Sequence, residues 1–206
     1  MAIDHFIKHK EQIGRTDWNF NFLFNDQLQV AELATQYAPL LEYDGLHKPV
    51  PAQWLHATLL RIGFLEEFSE DEMLKVAALL ELKLSGMKLP PFMLGQWWLW
   101  GGNPCLHFTP DDPLKEIYDC LLEALATILG NSSKRKNLWP NRFMPHVTLA
   151  YSKTYDSEVG LYKQLQSKPI KGVELRINSV SLIKQRIVDD YYAWEILKDI
   201  KIGQNA

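Results

Sequence analysis

Two tetrapeptides of the chain carry the residue types of a general acid and base pair. His56-Ala-Thr-Leu59 and His146-Val-Thr-Leu149 each place a histidine two residues before a threonine. Each tetrapeptide falls in an apolar segment that is predicted to be a strand. Because alternate residues of a strand face the same side, each strand is expected to present one imidazole and one hydroxyl together.

This combination suits metal-free chemistry at a phosphoester. An imidazole has a pKa near ~6.5, so at neutral pH one of the two rings can accept a proton while the other, beside a phosphate, donates one. The hydroxyls of Thr58 and Thr148 can donate hydrogen bonds to the phosphate oxygens. The sequence therefore predicts His56 and His146 as catalytic residues and the two threonines as substrate-binding residues. The alternative interpretation is a pair of hydrogen-bonded core histidines.

Three neighbours of the motifs are predicted to help bind the substrate. Trp54 lies two residues before His56 in the predicted strand, shares the face of that histidine, and is expected to stack on a base. Tyr151 follows the second motif and could either stack on a base or pack in the core. Arg142 precedes the second motif and is expected to contact phosphate, with a solvated surface charge as the alternative.

Other polar residues give less specific signals. Arg61 could contact phosphate or carry a solvated charge, and the loop Lys134-Arg-Lys136 near Trp139 could guide an RNA end or be a plain solvated loop. The other four histidines show no metal-ligand spacing; they are His5, His9, His47 and His107. We expect no metal site and no cofactor, and assign these histidines no role.

The elements that must position the motifs repeat along the chain. The predicted order is strand 18–24, helix from 28 to Pro39, strand 54–63, helix from the Ser69/Glu72 capping box, strands 92–100 and 105–108, helix from Thr109 or Asp111 to Gly130, strand 143–151, helix 158–166, and strands 173–183 and 191–197. We expect one α+β domain over residues 1–206, with lobes of approximately 18–108 and 109–198. Two independent domains meeting near residue 110 are the alternative.

The paired motifs in repeated halves resemble the 2H (two-histidine) phosphoesterase superfamily, in its 2′-5′ RNA ligase or cyclic phosphodiesterase branch. The wider segments Trp54 to Thr58 and Arg142 to Ser152 support that branch. The resemblance implies a bilobal, pseudo-two-fold α+β fold in which two antiparallel-rich sheets line a central cleft, with helices outside. It also implies metal-independent hydrolysis of 2′,3′-cyclic phosphates or 2′-5′ phosphodiesters in RNA ends or small nucleotides, together with reverse ligation. The residues that carry the motif are His56, Thr58, His146 and Thr148.

Composition restricts the partners and the compartment. A net charge of −3, from 22 basic and 25 acidic residues, argues against a protein that coats long nucleic acid. No apolar run is long enough for an export signal or a membrane span, and the two cysteines form no CxxC unit. We expect a cytoplasmic monomer without an obligatory protein partner. A non-catalytic module that binds RNA ends or nucleotides, and a histidine-ligated metallohydrolase, are the competing functions.

Overall fold

The chain alternates helices and strands, which the computed structural model describes over residues 4–42, 45–130, 143–153, 158–167 and 170–203. The helices are α1 (His5–Lys8), α2 (Leu28–Leu41), α3 (Glu70–Leu84), α4 (Asp112–Leu129) and α5 (Glu158–Ser167). The strands are β1 (Thr16–Leu23), β2 (His47–Pro49), β3 (His56–Phe64), β4 (Phe92–Trp100), β5 (Asn103–Thr109), β6 (His146–Thr148), β7 (Ala150–Ser152), β8 (Val173–Leu175), β9 (Ser179–Val188) and β10 (Tyr191–Lys201). Within these ranges, no helix has the length and apolar character needed to cross a membrane.

Two four-stranded antiparallel sheets form the frame of the molecule. The first sheet has the strand order β10-β9-β1-β3, and the second has the order β6-β5-β4-β8. The motif strands β3 and β6 are edge strands of their sheets and contact each other. A separate antiparallel pair joins β2 to β7. The predicted α+β class with two antiparallel sheets is confirmed.

Each half of the chain repeats the order strand, helix, strand, helix. The next long strand after each of these units belongs to the sheet of the other unit. The first unit is β1, α2, β3 and α3, and the second unit is β5, α4, β6 and α5. β4, which follows the first unit, pairs with β5, whereas β9, which follows the second unit, pairs with β1. The boundary predicted between residues 108 and 109 therefore does not separate the sheets, because each sheet contains strands from both halves.

Two segments predicted as single strands are each divided between different sheets. In 143–151, β6 pairs with β5 while β7 pairs with β2, and between them Leu149 donates its N–H to the Pro104 carbonyl at 2.8 Å. In 173–183, β8 pairs with β4 while β9 pairs with β1. An apolar run shows that a segment is buried, but it does not show with which strand the segment pairs.

The sequence signals at Ser69 and Gly130 mark helix ends, whereas the signal at Pro39 does not. The Ser69 and Glu72 side chains form both hydrogen bonds of the predicted capping box, and Gly130 ends α4 with a φ of 59°. α2 continues through Pro39 to Leu41, which is 1% exposed. Proline removes one backbone hydrogen bond, and burial of this last apolar turn outweighs that loss.

β1 is buried on both faces, although its alternating pattern predicts one. Its apolar side chains are Trp18, Phe20 and Phe22, and its polar side chains are Asp17, Asn19 and Asn21; all six are at most 2% exposed. The apolar face belongs to the hydrophobic core. Asn19, on the polar face, lines a cavity between the motif strands. The polar half of the alternation therefore marks the side of the sheet on which the candidate site lies.

Candidate active site

The two motif strands present their histidine and threonine on one side, as strand geometry requires. His56 and Thr58 begin β3, His146 and Thr148 begin and end β6, and all four side chains are half-buried. The residue between histidine and threonine is at most 1% exposed on each strand. Burial of the intervening residue fixes the face on which the motif side chains emerge.

Both motif imidazoles are held by the same local hydrogen bond. His56 Nδ1 lies 2.9 Å from the carbonyl oxygen of Trp54, and His146 Nδ1 lies 2.7 Å from that of Met144. A carbonyl oxygen only accepts, so Nδ1 carries the hydrogen in both rings. In each neutral imidazole Nε2 is therefore the basic nitrogen, which is available to a ligand.

The four motif side chains meet in one cavity of about 230 Å³. The other residues that line it are His5, His9, Gln12, Asn19, Arg61, Trp100, Asn103, Cys105, Tyr151, Gln185 and Tyr192. The sheets converge here because β3 and β6 lie side by side at the sheet edges. Two basic nitrogens and two hydroxyls thus face a common space, which is the arrangement needed for acid–base chemistry at one phosphorus atom.

Burial keeps both imidazoles neutral near pH 7 when no anion is bound. The pKa of His56 is lowered to about 4, chiefly by burial, with a smaller effect of the neighbouring His146. Burial also lowers the pKa of His146, and His107 on the adjacent strand contributes. A phosphate anion in the cavity would favour an imidazolium, so a bound substrate supplies the charge that allows one ring to act as the acid.

Aromatic rings form the walls behind the two histidines. Trp194 packs edge-on against His56, with ring centroids 5.0 Å apart and an interplanar angle of 73°. Trp100 stacks on His146, with centroids 6.0 Å apart and an angle of 22°. These contacts restrict the orientation of both rings.

The fixed positive charge beside the cavity belongs to Arg61. Its Nε and Nη2 atoms donate to the Asp17 carboxylate at 3.1 and 2.8 Å, and this carboxylate is buried. The bidentate pair holds the guanidinium in place and offsets part of its charge. On β1, Asn19 Nδ2 is buried and has no hydrogen-bond partner within the described part of the chain. Arg61 and Asn19 are therefore further groups that could meet an anion in this cavity.

The sequence model of the 2′-5′ RNA ligase superfamily matches residues 26–188. The chain belongs to this superfamily. Among solved structures, TT0787 of Thermus thermophilus is similar with a TM-score of 0.71 and 17% identity, over 92% of this chain and 100% of that one. Apo LigT of E. coli is similar with a TM-score of 0.62 and 16% identity, over 92% of this chain and 99% of LigT. No curated protein matches by sequence.

Membership of the 2′-5′ RNA ligase superfamily supports a phosphoesterase or ligase-like enzyme, and both motif tetrapeptides lie within the matched segment. The structural neighbours show the same fold at low identity. In the described ranges, no group of three or more histidine, cysteine, aspartate or glutamate residues is arranged to hold a metal ion.

The aromatic residues predicted to stack on a base are placed differently from that expectation. Trp54 lies in a 3₁₀ turn before β3, so strand alternation does not govern it; its ring packs against Trp194 at 4.9 Å and lines a neighbouring pocket. Tyr151 is 4% exposed, and His5 stacks on its ring at 4.7 Å. The Tyr151 ring is therefore packed against His5, and the residue also lines the motif cavity. Arg142 and the loop Lys134–Lys136 lie outside the described residues.

The N-terminal side of the site carries no signal in the sequence. His5, His9 and Gln12 line the cavity, and they precede the segment that matches the superfamily. No spacing relates them to the motifs, so no sequence pattern could have placed them there. The polar residues of β1 are different, since their alternation with phenylalanines was visible and would have predicted Asn19 as a cavity residue.

Proposed function

We propose that the protein is a metal-independent phosphodiesterase that hydrolyses 2′,3′-cyclic phosphate or 2′-5′ phosphodiester bonds, with His56 and His146 sharing the acid and base roles. The observation that carries the proposal is the pair of rings on one cavity, each with Nδ1 bound to a backbone carbonyl and Nε2 left for the ligand. Structural histidines have no need of matched tautomers beside a shared solvent-accessible cavity.

The proposed reaction moves one proton at each end of the cavity. One Nε2 accepts a proton from water as the water oxygen attacks phosphorus. The bond from phosphorus to the departing sugar oxygen breaks, and the other imidazolium gives that oxygen a proton. Thr58 and Thr148 donate to the non-bridging oxygens, where negative charge develops. Each proton transfer contributes about 10²–10⁴-fold to the rate. In reverse ligation, which needs high concentrations of RNA ends, a 5′-hydroxyl takes the place of water: one Nε2 accepts its proton as its oxygen attacks the phosphorus of a 2′,3′-cyclic phosphate. The bond from phosphorus to the 3′-oxygen breaks, the other imidazolium protonates that oxygen, and a 2′-5′ diester forms.

The cavity size favours recognition centred on the phosphate. At about 230 Å³ it lies below the ~300–1,000 Å³ of sites that enclose a whole drug-sized ligand. We infer that it holds the phosphate and its ribose while the rest of the substrate lies outside, which suits both RNA ends and small nucleotides. LigT of E. coli, which is 16% identical, has been crystallised in complex with 3′-AMP.

Both cysteines are free, in keeping with the cytoplasmic setting that we propose.

A product assay tests this proposal. Wild-type protein with excess EDTA is incubated with 2′,3′-cyclic AMP and with 2′-5′-linked diadenylate, and the 2′- and 3′-phosphate products are resolved. We expect turnover of at least one substrate, undiminished by EDTA, and none with the His56→Ala/His146→Ala variant. Tight binding without turnover would favour the binding module. Turnover that EDTA abolishes and added metal restores would favour the metallohydrolase.

A further inference from the structure

A chain of three hydrogen bonds runs from β7 through the N-terminal helix to the cavity. The backbone N–H of Ser152 donates to Asn103 Oδ1 at 2.8 Å. Asn103 Nδ2 lies 3.0 Å from His5 Nδ1, and His5 Nε2 lies 3.2 Å from the hydroxyl oxygen of Tyr192. Tyr192 lines the cavity beside His56, with ring centroids 6.4 Å apart.

The chemistry of its first group fixes the direction of this chain. A backbone N–H can only donate, so the side-chain atom of Asn103 that faces Ser152 is its oxygen, and the amide nitrogen faces His5. The amide nitrogen donates, so His5 Nδ1 accepts. Neutral His5 then carries its hydrogen on Nε2 and donates it to the Tyr192 oxygen. The Tyr192 hydroxyl, having accepted this bond, is left with its own hydrogen to donate.

No acceptor for that hydrogen is found among the residues that the structure describes, and the side chain borders the cavity. We propose that Tyr192 is a third hydrogen-bond donor to the phosphate, beside Thr58 and Thr148, and that the Ser152–Asn103–His5 chain orients its hydroxyl. The inference rests on the proposed function in taking a phosphoester as the ligand. It adds a residue of the last strand, and the N-terminal helix behind it, to the site.

The protonation states of the chain favour this direction. Burial lowers the pKa of His5 to about 3, with smaller effects of His9 and Lys8, so the ring stays neutral. Burial raises the pKa of the Tyr192 hydroxyl above its usual value, so the hydroxyl keeps its proton. A neutral donor chain of this kind strengthens the terminal hydroxyl as a donor, because each accepted bond polarises the next group.

Two of the four residues in this series of hydrogen bonds lie outside the segment that the superfamily model matches. His5 and Tyr192 both lie outside the matched segment 26–188, whereas Asn103 and Ser152 lie inside it. Phe6 is 5% exposed and packs against Tyr192 at 5.4 Å, and it anchors the helix that carries His5. The proposed donor, Tyr192, and the histidine that orients it, His5, thus lie far apart in the sequence.

Tyr192→Phe removes the hydroxyl and keeps the ring. We expect kcat/KM on the substrate found in the product assay to fall roughly 10- to 100-fold, as for loss of one hydrogen bond to a charged group. Tyr191→Phe is the matched control, because the Tyr191 ring packs under Lys48 at 4.1 Å and does not line the cavity. Equal activity of the two variants would overturn the inference.

Binding of inorganic phosphate, measured by calorimetry, separates this inference from the proposed function. Tyr192→Phe should raise the Kd for phosphate roughly 10-fold, as for a hydrogen bond to a charged group. That result supports the inference even if the wild type turns over no substrate. Unchanged phosphate binding in a catalytically active protein would contradict the inference alone.

A double-mutant cycle tests the orienting chain. His5→Phe keeps an aromatic ring against Tyr151 and removes both the donor to Tyr192 and the acceptor for Asn103 Nδ2. We expect a loss of roughly 3-fold in phosphate affinity when Tyr192 is present, and no further loss in the Tyr192→Phe background. Additive losses would show that His5 does not act through the hydroxyl.

Discussion

The His56 end and the His146 end of the cavity share one local geometry and differ in their surroundings. At both ends Nδ1 is bound to the carbonyl of the residue two positions earlier, and a threonine follows two positions later. His56 starts a nine-residue strand and faces Trp194 and Tyr192 from the last strand. His146 starts a three-residue strand and faces Trp100, with His107 directly opposite on β5.

This difference separates what the motif determines from what the fold adds. The motif determines which imidazole nitrogen carries the hydrogen and places a threonine hydroxyl on the same face, so the imidazole at either end can transfer a proton. The surroundings influence the protonation of each ring. His107 on β5 lowers the pKa of His146, whereas the N-terminal helix lies on the Tyr192 side of His56. A division of labour between acid and base must therefore come from the surroundings.

Removal of either imidazole should have the largest effect. His56→Ala and His146→Ala should each lower kcat on a natural diester about 10²–10⁴-fold, because each deletes one proton transfer. A p-nitrophenyl diester, whose leaving group needs no proton, distinguishes the ends: the variant that lacks the acid recovers on this substrate, and the variant that lacks the base does not. Equal losses on both substrates would show that the roles are not divided.

The two threonines should matter about equally, although their neighbours differ. Thr58→Val and Thr148→Val should each lower kcat/KM roughly 10- to 100-fold, as for loss of one hydrogen bond to a charged group, and serine should restore most of it. Thr148 Oγ1 lies 3.6 Å from Cys105 Sγ, a thiol whose pKa is raised by burial to about 12 and which therefore stays protonated. Cys105→Ala should change kcat/KM less than about 3-fold by this account. A loss as large as that of Thr148→Val would assign the thiol a role of its own.

The pH dependence of kcat/KM and of kcat should show that substrate binding favours the protonated form of one imidazole. Burial lowers the pKa of both imidazoles in the free protein, to about 4 for His56, so kcat/KM should be highest below pH 6.5, where one ring is protonated and the other is not. The bound phosphate favours the imidazolium, so kcat should peak at a higher pH. Coincident optima, or the reverse order, would contradict the assignment of the lowered pKa values to the catalytic pair.

The smallest effect should come from His107 and should be confined to one end. His107→Gln removes a group whose charge lowers the pKa of His146, so the His146 pKa should rise while that of His56 stays unchanged. NMR titration of the two imidazoles in the free protein measures this. A rise at His56 instead would place His107 beside the other end.

The sequence predicts the catalytic groups of the site, but it does not predict the residues and strands that surround them. His56, Thr58, His146 and Thr148 could be found because a two-residue spacing on a strand has one geometric meaning. The exchange of β4 and β9 between sheets could not be found, since an apolar strand does not encode its partner.

The same limit explains the errors around the motifs. Strand alternation predicts that Trp54 shares the face of His56, but the strand begins two residues after Trp54. His5 comes to the cavity through a helix whose single buried residue, Phe6, gives too short a pattern to predict its docking site. Tertiary contacts that bring distant short segments together leave no periodic signal in the sequence.

In the proposed site, the two motif imidazoles face one ligand through Nε2. NMR of ¹⁵N-histidine-labelled protein tests this directly, with inorganic phosphate as the titrant and His56→Gln and His146→Gln for assignment. We predict that the Nε2 signals of both rings respond with one shared Kd and that their pKa values rise, while each Nδ1 stays protonated. A response of only one ring, or two different affinities, would contradict the account.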